Sequence, residues 1–240
     1  MKHLRIAFSL LTTLPLHAPA DWQPGDSGRA AGWYPFVGLA LGLLVAAAHA
    51  LAAWAFPPLV AAALALALWV ALTGGLHLDG LSDCCDGLFH PSNPERRLEI
   101  MKDPHLGAFG AIGLGLALLL KWAALASLPP ARAALAILLA ASLGRWAILL
   151  AGLQPLARPG GMGADFAAGL RQSALAWGAL VPLGLVFALG RHGFLAAALA
   201  LLAAVGVLRF ARARLGGVTG DVFGLLVEAV ETVTLLSLTL

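Results

Sequence analysis

Charge is what this sequence has least of. Only 27 of its 240 residues are Asp, Glu, Lys or Arg, 11% of the chain, where an ordinary soluble domain carries about 25%. With 60% hydrophobic residues, that scarcity excludes a water-soluble globule. Cysteine is nearly absent as well. The two copies, Cys84 and Cys85, are adjacent, a spacing that rarely meets disulfide geometry, so no disulfide framework is implied. There is also no concentrated basic patch, and the net charge of +3 fits positive-inside loops rather than nucleic acid.

What is present is apolar sequence in long runs. A bilayer crossing takes about 20 apolar residues, so the content predicts an all-α, polytopic integral membrane bundle of about seven transmembrane helices. No charged residue occurs from Ala30 to Leu78, and Phe56-Pro57-Pro58 divides that run into spans near 33–55 and 59–77. Further spans read as 107–128, 132–153, 174–190, 193–210 and 221–240, separated by Pro129-Pro130, the Pro/Gly-rich stretch 154–163 and Arg191-His192-Gly193. Residues 1–20 combine early positive charge with an apolar stretch, a pattern shared by signal peptides and interfacial helices. The whole of 1–240 is expected to be a single membrane domain. Basic residues orient it: eleven Lys and Arg fall in the N-terminal segment, the 79–106 loop, the 154–173 loop and the turn before the last span, against Arg132 and Arg191 opposite. The richer face is expected to be cytoplasmic.

The chemistry falls on that same face. Half of all acidic residues (Asp79, Asp83, Asp86, Glu95, Glu99 and Asp103) lie in one loop. If 76–87 is helical, Asp83 lies about 40° from Asp79, and Asp86 about 20° to its other side. Like charges at these spacings repel, so the stripe makes sense against a hard cation with oxygen ligands, and Mg²⁺ is the ion expected. A second helix should start at Asn93 as N-cap with Pro94 as its first residue and end near Pro104; it carries Glu95 and Glu99 interleaved with Arg96, Arg97 and Lys102. In the last span, Asp221, Gly224, Glu228 and Glu231 share one broad face, with Glu228 roughly 10 Å deeper than Asp221. Ionisable groups at such depth mark a functional site or a paired bundle interior, and Arg145 in the fourth span is a candidate partner. Arg158 beside Gly160 and Gly161 combines a fixed cation with backbone free to approach an anion. His77, His90 and His105 flank the acidic cluster without zinc-site spacing. Together these features suggest metal-assisted transfer of a phosphoryl-linked group. A transporter is the rival class, although its sites usually sit near the midplane within internal repeats.

Gly74-Gly75-Leu76-His77-Leu78-Asp79-Gly80-Leu81, Asp83, Asp86-Gly87, Glu95 through Asp103 and Gly107-Ala108-Phe109-Gly110 together closely resemble the cobalamin synthase family of adenosylcobinamide-GDP ribazoletransferases. Gly144-Arg145-Trp146, Ala157 through Gly161 and Gly216 through Asp221, with Glu228 and Glu231, continue the likeness over the whole chain. Local departures are Cys84-Cys85, where a Thr-Ala-like pair is usual, and the N-terminal Leu11 through Pro15, which lacks an expected arginine. The resemblance implies a Mg²⁺-dependent phosphotransferase-type enzyme of the bacterial inner membrane. It would join adenosylcobinamide-GDP to α-ribazole or its 5′-phosphate and release GMP, late in cobalamin biosynthesis. It further implies catalysis by Asp79, Asp83, Asp86 and Glu228, with metal held by Asp79, Asp83, Asp86 and Asp221. Substrate would meet His77, Arg96, Arg97, Glu99, Lys102, Arg145, Arg158, Gly160 and Gly161. Expected partners are these substrates and the lipid bilayer, with no nucleic acid; a homo-oligomer or association with other cobalamin-assembly enzymes is compatible. Asp83-Cys84-Cys85-Asp86-Gly87 also matches the opening of the CDP-alcohol phosphotransferase signature, but the rest of that signature is absent. A membrane prenyltransferase would need a second aspartate-rich motif, which is not evident.

Overall fold

In hydrocarbon a backbone must satisfy its own hydrogen bonds, and helix is the local way to do so. The computed structural model, which describes residues 1–240, follows that rule. Its helices are α1 (Lys2–Leu11), α2 (Asp26–Arg29), a 3₁₀ turn (Ala31–Trp33), α3 (Tyr34–Ala55), α4 (Pro58–Thr73), α5 (Leu76–Phe89), α6 (Pro94–Ile100), α7 (Ala108–Ser127), α8 (Pro130–Ala151), α9 (Gly161–Gly169), α10 (Gln172–Leu189), α11 (Arg191–Leu215) and α12 (Gly220–Ser237). Proline opens α4, α6 and α8 at the first helical position, where its missing N–H costs nothing.

Five stretches (31–55, α7, α8, α10 and α11) are long and apolar enough to cross a membrane, or six if α4 and α5 form one broken span. The count is close to the seven expected, and two features explain the difference. The span expected at 59–77 stops at Thr73 because Gly74 and Gly75 both take left-handed φ, at 62° and 71°, which turns α5 by 89° from α4. The last helix, α12, carries three acidic residues, Asp221, Glu228 and Glu231. At the N-terminus, α1 buries Ile6, Ala7 and Leu11 and is fastened by Lys2 to Asp26 at 2.9 Å. That lysine, the Gln23 N–H and Arg29 hold the Asp26 carboxyl well below the usual carboxylate range.

The central element is α8, which packs against α3, α10 and α12. It approaches α3 across Gly38 and Gly42, one turn apart. A Cβ at Gly38 would lie 2.4 Å from the Ala141 carbonyl oxygen, and one at Gly42 would lie 2.9 Å from Leu138 Cα. Small residues at this spacing let backbones meet where the hydrophobic effect gives no drive between helices.

Four charged side chains then join the bundle below the surface. Lys121 of α7 donates to Glu228 at 2.6 Å and also to Glu231, and Arg145 of α8 donates to Glu231. Exposures are 3% for Lys121, 0% for Arg145, 5% for Glu228 and 1% for Glu231, so the charges must balance internally, and two cations face two anions. Lys121 also lies 5.3 Å from the centre of the Trp69 ring on α4, a cation–π distance. The depth of Glu228 and Glu231 is thus explained by pairing. Arg145 does take part, but with Glu231, while Glu228 is held by Lys121.

Two outcomes check this packing. Gly38→Leu should destabilise the detergent-solubilised protein by about 1–3 kcal/mol through overpacking, seen as a lower thermal midpoint, whereas Gly184→Leu, where a Cβ meets nothing within 4 Å, should not. Lys121→Met should cost about 3–5 kcal/mol by stranding a buried anion, and adding Glu228→Gln to it should recover most of the lost thermal stability.

Candidate active site

The site is built where α5 passes α12. The helices cross glycine on glycine: a Cβ at Gly224 would lie 2.9 Å from the His77 carbonyl oxygen, and one at Gly80 would lie 2.7 Å from that of Asp221. This approach brings the aspartate stripe of α5, helical as its spacing predicts, to the first turn of α12. Thr219 caps that helix by accepting the Val222 N–H, and its hydroxyl donates to Asp221 at 3.1 Å. The helix dipole favours an anion at this end.

The carboxylates are not equivalent. Asp79 is exposed and Asp83 half-buried; neither is engaged by a protein donor, and Asp79, Asp86 and Asp221 all stand close enough to repel the Asp83 charge. Asp86 is committed elsewhere. Its two oxygens accept the Gly107 and Gly110 N–H groups, each at 2.8 Å, so it caps the start of α7. Glycine at both positions leaves room for this contact, since a Cβ at either would lie 2.3 Å from an Asp86 oxygen and push the carboxylate away. No three His, Cys, Asp or Glu side chains form a ready-made metal cage. The available oxygen donors are Asp79 and Asp83, faced by Asp221.

Arg158 arrives from the other side. Residues 155–157 pair with Val218 through Ala157 N–H to Val218 O at 2.9 Å and Val218 N–H to Pro155 O at 2.8 Å. Beyond this pairing Arg158 reaches to 3.5 Å from Asp221. Gly160 and Gly161, both at φ 78°, begin α9 and line a small cavity of ≈60 Å³ together with Arg158 and Asp221. Two larger cavities follow it in a row, the first adjoining it and the second adjoining the first. One of ≈460 Å³ reaches from beneath α1 to Asp79 and Asp221, and the other, more open and ≈780 Å³, includes Asp79, Asp83 and His105. Asp79 borders both of these, and Asp221 borders the first two.

The remaining expected site residues are dispersed. His77 is buried against the ≈460 Å³ cavity. Arg96 and Glu99 pair with each other at 2.8 Å on the exposed face of α6, whose Asn93 cap and Pro94 start are as expected. That helix ends at Ile100, one turn before Pro104. Arg97 is buried; it donates to the carbonyls of His90 and Arg214 at 3.1 and 3.0 Å and so ties α6 to the end of α11. Lys102 is exposed. Arg145 and Glu228 lie in the ion network. Sequence reasoning missed Lys121, although a single cation inside an apolar run is as strong a signal as Glu228. It also missed Asp165, which accepts the Gly25 N–H and the Ser27 hydroxyl, both at 2.5 Å, and so joins α9 to α2.

No solved structure matches this chain. It is 46% identical over 247 residues to an adenosylcobinamide-GDP ribazoletransferase of Stutzerimonas stutzeri, covering 100% of this chain and 98% of the relative. A relative of the same name in Deinococcus radiodurans is 43% identical, over 98% of this chain and 84% of its own. Another in Pseudomonas aeruginosa PAO1 is 42% identical, over 100% and 98%. The cobalamin-5-phosphate synthase model matches residues 3–239, which includes every carboxylate and arginine of the site, and the chain belongs to that family.

Proposed function

We propose that this protein is a membrane transferase that joins adenosylcobinamide-GDP to α-ribazole or its 5′-phosphate and releases GMP, from a site on the cytoplasmic face of a bacterial inner membrane. The names of its relatives support the substrates, and the distribution of basic residues supports the orientation. The observation that carries the mechanism is the meeting of unengaged Asp79 and Asp83 with Asp221, which Arg158 approaches to 3.5 Å, along a run of cavities in which Asp221 borders the first two and Asp79 the last two.

The donor set suits Mg²⁺. This ion commonly takes one or two carboxylates and completes its shell with substrate phosphates and water, which fits a site with no preassembled cage. Asp79 and Asp83 would hold it, with Asp221 opposite, and when bound it supplies Lewis-acid neutralisation of diphosphate charge. The protein's own groups do the rest. Arg158, steadied by Asp221, offers guanidinium donors to diphosphate oxygens. A ribose hydroxyl of the acceptor attacks the cobinamide-linked phosphorus; a new O–P bond forms, the bond from that phosphorus to the bridging oxygen breaks, and GMP leaves with the electron pair. The hydroxyl proton passes to a carboxylate of the α5 stripe. Asp86 acts through structure, holding the loop between α6 and α7 beside the stripe.

Purified wild-type protein given both substrates and Mg²⁺ should release GMP and cobalamin product in equal amounts, and a chelator should stop both. Asp83→Asn should lower kcat by about 10²–10³-fold with little change in thermal midpoint; full Mg²⁺-dependent turnover by that variant would sink the metal assignment. Asp86→Asn should behave oppositely in kind, lowering the thermal midpoint because its amide NH₂ cannot accept the Gly107 or Gly110 N–H.

A further inference from the structure

The reaction has two substrates of very different size, and the cavities around the carboxylates differ in a matching way. We infer that the ≈460 Å³ cavity beneath α1 is the acceptor site, and that it binds the planar aromatic base of the ribazole; this rests on the reading above. The volume falls in the range of about 300–1,000 Å³ typical for small-ligand pockets, suits a nucleoside and is too small for a corrin macrocycle with its side chains and attached GDP.

Its walls are aromatic. Trp22, Tyr34, Phe166 and Phe223 all line it, and the Phe166 ring centre lies 5.7 Å from that of Tyr34, tilted by 38°, and 5.4 Å from that of Phe223, edge to face, so three of the rings form one aromatic cluster. Aromatic faces of this kind hold heterocyclic bases by stacking. No lysine or arginine lines the cavity; of its three carboxylates, Asp165 is taken up by the Gly25 N–H and the Ser27 hydroxyl, which leaves Asp79 and Asp221, the two it shares with its neighbouring cavities. An acceptor therefore enters base first, its ribose hydroxyls reach the carboxylates, and any 5′-phosphate stays outside, towards Arg158. The donor's macrocycle is left with the open ≈780 Å³ face on the other side of Asp79.

Steady-state kinetics with each substrate varied in turn tests the assignment. Phe223→Ala should raise the KM for α-ribazole by at least about fivefold and leave the KM for adenosylcobinamide-GDP within twofold. Phe223→Leu, which keeps apolar bulk without a stacking face, should show the same split should the alanine variant fold poorly. Titration of wild-type protein with α-ribazole alone should change tryptophan fluorescence, and Trp22→Phe should remove most of that change. A rise in the KM for adenosylcobinamide-GDP instead, or an unaltered α-ribazole KM in both Phe223 variants, would overturn the acceptor site. Wild-type protein that binds α-ribazole but forms no cobalamin product would instead contradict the transferase reading while leaving the base cavity intact.

Discussion

Everything on the reactive face depends on a charge balance struck inside the bundle. Lys121 and Arg145 against Glu228 and Glu231 are all withdrawn from water, where an unmatched ion would cost several kcal/mol. The four therefore balance one another's charge only together, and only with α7, α8 and α12 in one register. Seven residues separate Asp221 from Glu228, about 10 Å along the helix, so locking the deep end of α12 also sets the height and rotation of its first turn. Trp69 extends the constraint to α4, the helix that leads into the aspartate stripe.

On that frame, close backbone approach does what long side chains cannot. Gly80 and Gly224 let α5 and α12 come together until main chain meets main chain, which places carboxylates from two helices around one space. The pairing of residues 155–157 with Val218 sets Arg158 against the same space. Each group is held by the backbone that carries it, which is the rigidity a phosphoryl displacement needs, since its catalysis is mostly positioning and charge stabilisation.

Much of this was legible in the residues. Proline and glycine marked most span boundaries, the three-and-four spacing of Asp79, Asp83 and Asp86 gave a helix with a charged stripe, and Asn93-Pro94 gave the start of α6. Periodicity reports which way a side chain points on its own helix but not which neighbour it meets. Asp86 shares the stripe and yet serves the α7 backbone, and Arg97 looks like a phosphate ligand and yet holds two carbonyls. Lys121 has no partner near it in sequence to mark its role, since both of its carboxylates lie more than a hundred residues away. The base cavity had no linear signature at all, since its walls come from the N-terminal segment, α3, α5, α8, α9 and α12.

The two left-handed glycines between α4 and α5 have a thermodynamic side. On the proposed reading, the 89° turn between α4 and α5 lets a broken span end in a polar ledge instead of carrying three aspartates through hydrocarbon. In the proposed orientation both substrates come from, and both products return to, a single aqueous phase. A displacement performed on such a ledge transports no net charge through the bilayer, so the membrane potential, worth about 2.3 kcal/mol per elementary charge per 100 mV, does no work on it. In that orientation the lipid anchors the catalyst, and the equilibrium of the reaction is indifferent to whether the cell is energised.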